Sequence, residues 1–168
     1  MKMLTNQQCA EWLAQRGLVQ APYETSRHKM VGEQYSLPKA FCHVSSFVCS
    51  LIADVHPFDK ALLHFTDWAL YQPYEMAVIT TLRSAHGQPG RLIDSPGHLF
   101  AANERDLLAG MMSLGICYGW SAYLYLDSGI TFLNWEGDIL DLFYLENQPI
   151  QGVHEVLAAH ELAPILPH

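Results

Sequence analysis

Nine histidines are the first residues that could do chemistry, because a neutral imidazole both ligates metals and exchanges protons near neutral pH. His56, His64 and Asp67 lie closest together. His64 and Asp67 are three apart, and on a strand an odd spacing sends side chains to opposite faces, so they do not readily share an ion. The chain has no HExxH and no CxxC pair, and neither metal nor cofactor is expected. Nucleophilic acyl transfer would need a serine on a strained elbow. GxSxG is absent, and Ser45, Ser46 and Ser50 fall in a stretch of helical periodicity. Cys117, beside Gly119, belongs to the C-terminal end of an expected helix, where the dipole disfavours a thiolate, so it reads as structural. Gly87, Gly90 and Gly97 are separated by prolines, which lack the backbone N–H that a phosphate cradle uses.

Two sets of residues remain. Glu136, Asp138 and Asp141 are close enough for acid–base work by paired carboxylates, but a turn between strands gives no enclosure to raise the pKa of one of them. Together with Asp127, Trp135 and Tyr144 they suit a protein-binding edge better, with aromatics anchoring and acids selecting the partner. The rival set is Asp94, His98 and Glu104 around the Pro96-Gly97 loop, which would serve a small-molecule enzyme or ligand-binding domain. His98 also suits a structural role, holding that turn by a ring hydrogen bond.

The elements that must position these residues follow from periodicity and punctuation. Thr5 and Gln8 form a capping box at the start of a first helix, which carries Cys9, Trp12 and Leu13 and stops at Gly17. Residues 18 to 36 read as a surface loop with one short strand near Glu33 to Leu37. A helix over Pro38 to Val55 presents Phe41, Val44, Val48, Leu51 and Ile52. Ala61 to Tyr71 reads as a strand covered on both faces. Pro73 to Ala85 reads as a helix with Tyr74, Val78 and Leu82 on one side. Residues 86 to 99 are expected to be loop or turns. Asn103 caps a helix over Glu104 to Tyr118, which ends at Gly119. Ser121 to Leu126, Ile130 to Trp135 and Asp138 to Tyr144 form a β-meander, and a last helix spans Gly152 to Leu162. The expected fold is therefore a single α+β domain over residues 1–168. Its four- or five-stranded sheet is mixed or mostly antiparallel, ends in the meander and is covered by helices.

Composition supports a folded domain: half the 168 residues are apolar and 15% are charged, far from the composition of disordered chains. The four cysteines show no disulfide spacing. The closest pair, Cys42 and Cys49, are about 10 Å apart on one helix, so free buried thiols in a reducing cytosol are expected. The opening residues lack the apolar run of a signal peptide, which implies a cytoplasmic location. Charge is segregated. Residues 1–105 hold nine basic and nine acidic side chains, whereas residues 106–168 hold eight acids and neither Lys nor Arg, so the whole net charge of −8 lies after Arg105. Such a segment repels nucleic acid and acidic membranes and attracts a basic protein, although acids also simply keep an edge soluble. A homodimer through the meander edge or Trp135 is a third arrangement that these residues allow.

The run from Leu92 to Leu126, preceded by LLHFTDWALY and ITTLRSAHG, resembles a pattern in a family of small, uncharacterised bacterial cytosolic proteins. The matching residues are Trp68, Leu82, Arg83, Pro96, Gly97, His98, Glu104, Leu107, Gly119, Trp120, Ala122, Tyr123 and Leu124, with Asp106 one place off. The resemblance covers about residues 60 to 135. It implies a related fold and a bacterial origin and, by analogy with small acidic domains, an immunity protein that neutralises a basic toxin. The sequence thus favours a non-enzymatic binding protein.

Overall fold

The structure is a computed structural model that describes residues 1–23, 30–54, 57–68, 73–88 and 90–165. Val55, His56 and the 69–71 end of the expected third-region strand lie outside the described residues. In chain order the elements are β1 (Lys2–Leu4), α1 (Asn6–Ala14), β2 (Met30–Ser36), α2 (Phe41–Asp54), β3 (Lys60–Asp67), α3 (Pro73–Ala85), β4 (Gly97–Ala101), α4 (Arg105–Cys117), β5 (Ser121–Leu126), β6 (Thr131–Trp135), β7 (Ile139–Leu145) and α5 (Gln151–Ala159). One sheet with the order β1-β4-β3-β5-β6-β7-β2 contains all seven described strands, each paired antiparallel to its neighbours.

The α+β class is as expected, but four or five strands is too few. The additional strands are β1 and β4. Residues 97–99, expected in a loop, belong to β4, where Gly97 to Ala101 pair with His64 to Lys60 of β3. Pro96 and Gly97 open the strand and do not interrupt it, because a proline is tolerated just before a ladder begins. His98 accordingly lies in a strand and not in the expected loop.

Both faces of the sheet are covered, which explains why β5 is buried at every position. On one face Leu63, Phe65, Phe100, Leu124, Phe132 and Leu142 pack under α2, α4 and α5. On the other, Leu62, Tyr123, Tyr125, Leu133 and Phe143 meet Leu4, Cys9, Trp12 and Leu13 around α1. The two-residue period of the strands sorts these sets. The capping box at Thr5 and Gln8 is present. A 3₁₀ turn, Ala102–Glu104, precedes α4, and the Glu104 carboxylate, not Asn103, accepts the Ala101 N–H at 2.9 Å. Cys42 and Cys49 are free but exposed, contrary to the expected buried thiols, because the inner face of α2 is filled by Val44, Phe47, Val48, Leu51 and Ile52.

The helix α3 is turned by one wheel position from its apolar pattern, with Leu82 partly buried against the core. Tyr74 and Val78 are exposed, and the stripe turned inward is Glu75, Ile79 and Arg83. One position of the helical wheel, 100° of rotation, separates the two stripes. No described helix is long and apolar enough to cross a membrane.

Candidate functional site

The start of α3, with Tyr74 turned outward and Glu75 inward, forms one wall of a cleft of about 510 Å³ at the end of the sheet where α4 stops. Phe41 from α2, Tyr74 and Glu75 from α3, Tyr118 after α4, and Glu136 and Asp138 from the β6–β7 turn line it. Phe41 and Tyr74 are 62% and 58% exposed, the former at the start of α2. Tyr74 and Tyr118 meet edge to face at 6.3 Å. Burial, reinforced by Tyr74 and Glu75, raises the Tyr118 phenol.

The backbone that carries Glu136 and Asp138 is fixed by hydrogen bonds. Glu136 (φ +46°) and Gly137 (φ +77°) both adopt left-handed backbone, the geometry that a two-residue hairpin turn requires and that Asn or Gly ordinarily supplies. A glutamate there stores about 1–3 kcal/mol of strain. The surroundings fix it: the Glu136 N–H donates to Ser121 Oγ at 3.2 Å, and the Gly137 N–H to Asn134 Oδ1 at 3.2 Å. Asn134 in turn donates to the Trp120 carbonyl at 2.5 Å. The turn also lies against the end of α4, where Gly119 (φ +68°) leaves room for the Glu136 carbonyl.

A second cavity, about 710 Å³, runs along β2 beside α5. Two carboxylates border it. Glu33 accepts from Tyr35 Oη (2.6 Å) and Tyr144 Oη (2.5 Å) and pairs with His154 Nε2 at 2.8 Å. Asp141, on the opposite face of the sheet, accepts from Gln34 Nε2 (2.9 Å) and Trp135 Nε1 (2.5 Å). Burial alone would raise Glu33, but the hydrogen bonds from Tyr144, Tyr35 and His154 outweigh it and hold the carboxyl below its ordinary 4.5. A depressed folded-state pKa contributes stability that is present above the unfolded value and lost as pH falls through the folded one. Glu33→Gln is expected to flatten the fall in stability below about pH 4.5, read by urea unfolding at pH 3 to 6; an unchanged acid limb would show that the cluster has no such linkage.

The expected partner-binding residues are not gathered on one face. Glu136 and Asp138 are exposed in the cleft. Asp141 is buried and bonded to the partly buried Trp135, and Tyr144 points to the α5 side. Asp127 is at the other end of β6, where it accepts the N–H groups of Asp59 and Lys60 at 3.2 and 2.8 Å and ties two turns together. In the rival set, Asp94 is in an exposed ion pair with Arg91, and Glu104 holds the Ala101 N–H and the Met1 amine. His98 is fully buried, and neither it, Asp94 nor Glu104 lines either cavity described here. Cys117 is half-buried at the end of α4, where it also lines the cleft, and burial raises its thiol. His64 is buried and bonds Asn6 Oδ1 at 2.9 Å. Among the described residues no three His, Cys, Asp or Glu side chains are grouped to hold a metal.

The sequence contains no local signal for the Glu33 cluster, since Glu33 and His154 are 121 residues apart. Phe41 and Tyr74 were legible as apolar but not as exposed. No protein-family model, no curated protein and no solved structure matches the chain.

Proposed function

We propose that this chain is a non-enzymatic binding protein that masks a basic protein partner, as an immunity protein masks a toxin. The cleft at the end of α4 carries the reading: exposed Phe41 and Tyr74 stand beside Glu136 and Asp138, and the two acids occupy a strained turn braced by Ser121, Asn134 and Gly119. Aromatic anchors next to fixed charges are the usual composition of an interface hot spot. The absence of any cation after Arg105 adds long-range attraction for a basic surface,.

The test is co-expression with the toxin encoded beside the gene. Protection of growth is expected, together with a complex that weakens as salt rises. The double variant Glu136→Lys, Asp138→Lys is expected to lower the association rate about tenfold or more while the fold is retained. No protection and no salt-sensitive complex would sink the proposal.

A further inference from the structure

β2 closes the sheet on one side, so one of its edges has β7 and the other has no strand. The Leu37 N–H donates to the Asp138 carbonyl at 2.8 Å, toward β7. Backbone groups alternate in direction along a strand, so Met30, Gly32, Gln34 and Ser36 turn theirs outward. Part of this edge is taken. Ser36 donates its N–H to the Ala163 carbonyl at 3.1 Å, and the Gln34 carbonyl accepts the Ile165 N–H at 2.8 Å, an antiparallel bridge centred on Tyr35 and Pro164. The outward N–H and C=O of Gly32 have no partner among the described residues. A Cβ added at Gly32 would meet only the Phe143 ring, at 3.5 Å. The ladder stops at Gln34 and leaves its next rung open.

The cavity of about 710 Å³ wraps this edge. Tyr23, Gly32, Asp141 and Phe143 line it on the α1 face of the sheet, and Leu157 and Leu162 on the α5 face. A strand laid along an edge sends alternate side chains to opposite faces, and a cavity that reaches both faces admits one.

The two faces ask for different side chains. Asp141 is 4% exposed, and its two oxygens each accept one bond, from Gln34 and Trp135, whereas a carboxylate has sites for about four. No Lys or Arg among the described residues lines the cavity. Tyr23, edge-on to Trp135 at 5.1 Å, adds an exposed ring of the kind that holds a cationic side chain,. On the α5 face Glu33 already has three donors, and Leu157 and Leu162 supply an apolar wall. With one carboxylate on each face, the edge repels a second copy of itself and attracts a basic strand.

We propose that the outer edge of β2 at Met30 and Gly32 receives an extended segment of a basic protein in which basic and apolar residues alternate. The segment continues the ladder that Ala163 and Ile165 begin, turning Lys or Arg toward Asp141 and apolar side chains toward Leu157 and Leu162. Strand addition of this kind takes its affinity from main-chain hydrogen bonds and its selectivity from alternate side chains. No described residue lines both this cavity and the acidic cleft, so docking here does not require the cleft.

The probe is a capped peptide of three Lys-Val repeats, titrated into the full chain and followed by calorimetry and ¹⁵N NMR. Saturable binding that weakens as salt rises is expected, with the Gly32 amide shifted and its solvent exchange slowed about tenfold or more. A Glu-Val counterpart and the Lys-Val peptide N-methylated at every residue are expected not to bind. Asp141→Asn is expected to lower affinity about tenfold or more. Gly32→Pro is expected to abolish binding with the fold retained, because an edge strand tolerates a proline whose missing N–H faces outward. Should that variant not fold, the Gly32 amide of the parent protein and the N-methylated peptide decide. No binding, equal binding by either control peptide, binding that survives Gly32→Pro, or amide shifts confined to residues 136–138 would overturn the proposal. So would a Gly32 amide already protected without peptide, which would mean that the chain itself or a second copy covers the edge.

Discussion

Gly137→Val is expected to destabilise the fold by roughly 3–5 kcal/mol, the sum of a left-handed backbone that a β-branched residue resists and an overpacked contact. A Cβ at residue 137 would be driven into the carbonyl oxygen of Ile116. That atom is backbone at the end of α4, so no side chain can swing away to make room. Either the helix end or the β6–β7 turn has to move. The turn also places Glu136 and Asp138, so partner affinity should fall along with stability. Thermal unfolding checks the first effect, with a drop of about 10 °C or more expected for a chain of this size; a change under 2 °C would mean that the turn is not pinned against α4.

Trp120→Ala is expected to cost about 3–5 kcal/mol, the range for removing a large aromatic from a packed core. Trp120 is fully buried between Phe65 at 5.5 Å and Tyr118 at 5.6 Å. Its backbone also joins α4 to the sheet, because the N–H donates to the Gly115 carbonyl at 2.8 Å while its own carbonyl accepts from Asn134. Alanine keeps these backbone bonds and leaves a cavity, so the loss isolates the indole. Chemical denaturation with an unchanged m-value and a lowered midpoint is the expected result. A loss below about 1 kcal/mol would show that neighbouring side chains collapse into the space.

Much of the fold was legible because local chemistry dictates it. The turns at Gly129 and Gly137 punctuate the meander, and Pro73 and Gly119 mark helix ends. β1 and β4 were not legible for a physical reason. Lys2–Leu4 is three residues long, and β4 follows directly on a proline- and glycine-rich run; each is a strand only because β4 pairs with β3 on one side and β1 on the other. Such pairing is tertiary and leaves no period in the sequence. The orientation of α3 was hidden in the same way, since a stripe of Glu75, Ile79 and Arg83 carries no apolar signal. Acidity after Arg105 located Glu136 and Asp138 correctly as exposed groups, but Asp127 and Asp141 turned out to be satisfied by hydrogen bonds. Charge pattern gives location along the chain, whereas the two-residue period of a strand decides which acids reach solvent.

The register of β2 has a consequence for biosynthesis. Gln34 meets Asp141 across 107 residues. At about 5–20 residues per second, β2 leaves the ribosome roughly 5–20 s before the strand that receives it. Through that interval it is an unpaired strand carrying Met30, Val31 and Tyr35, the kind of segment that recruits neighbouring nascent chains. Glu33 stands in its middle. A charge in the middle of such a strand disfavours its pairing with another copy of itself, and in the finished protein the same carboxylate gathers Tyr35, Tyr144 and His154.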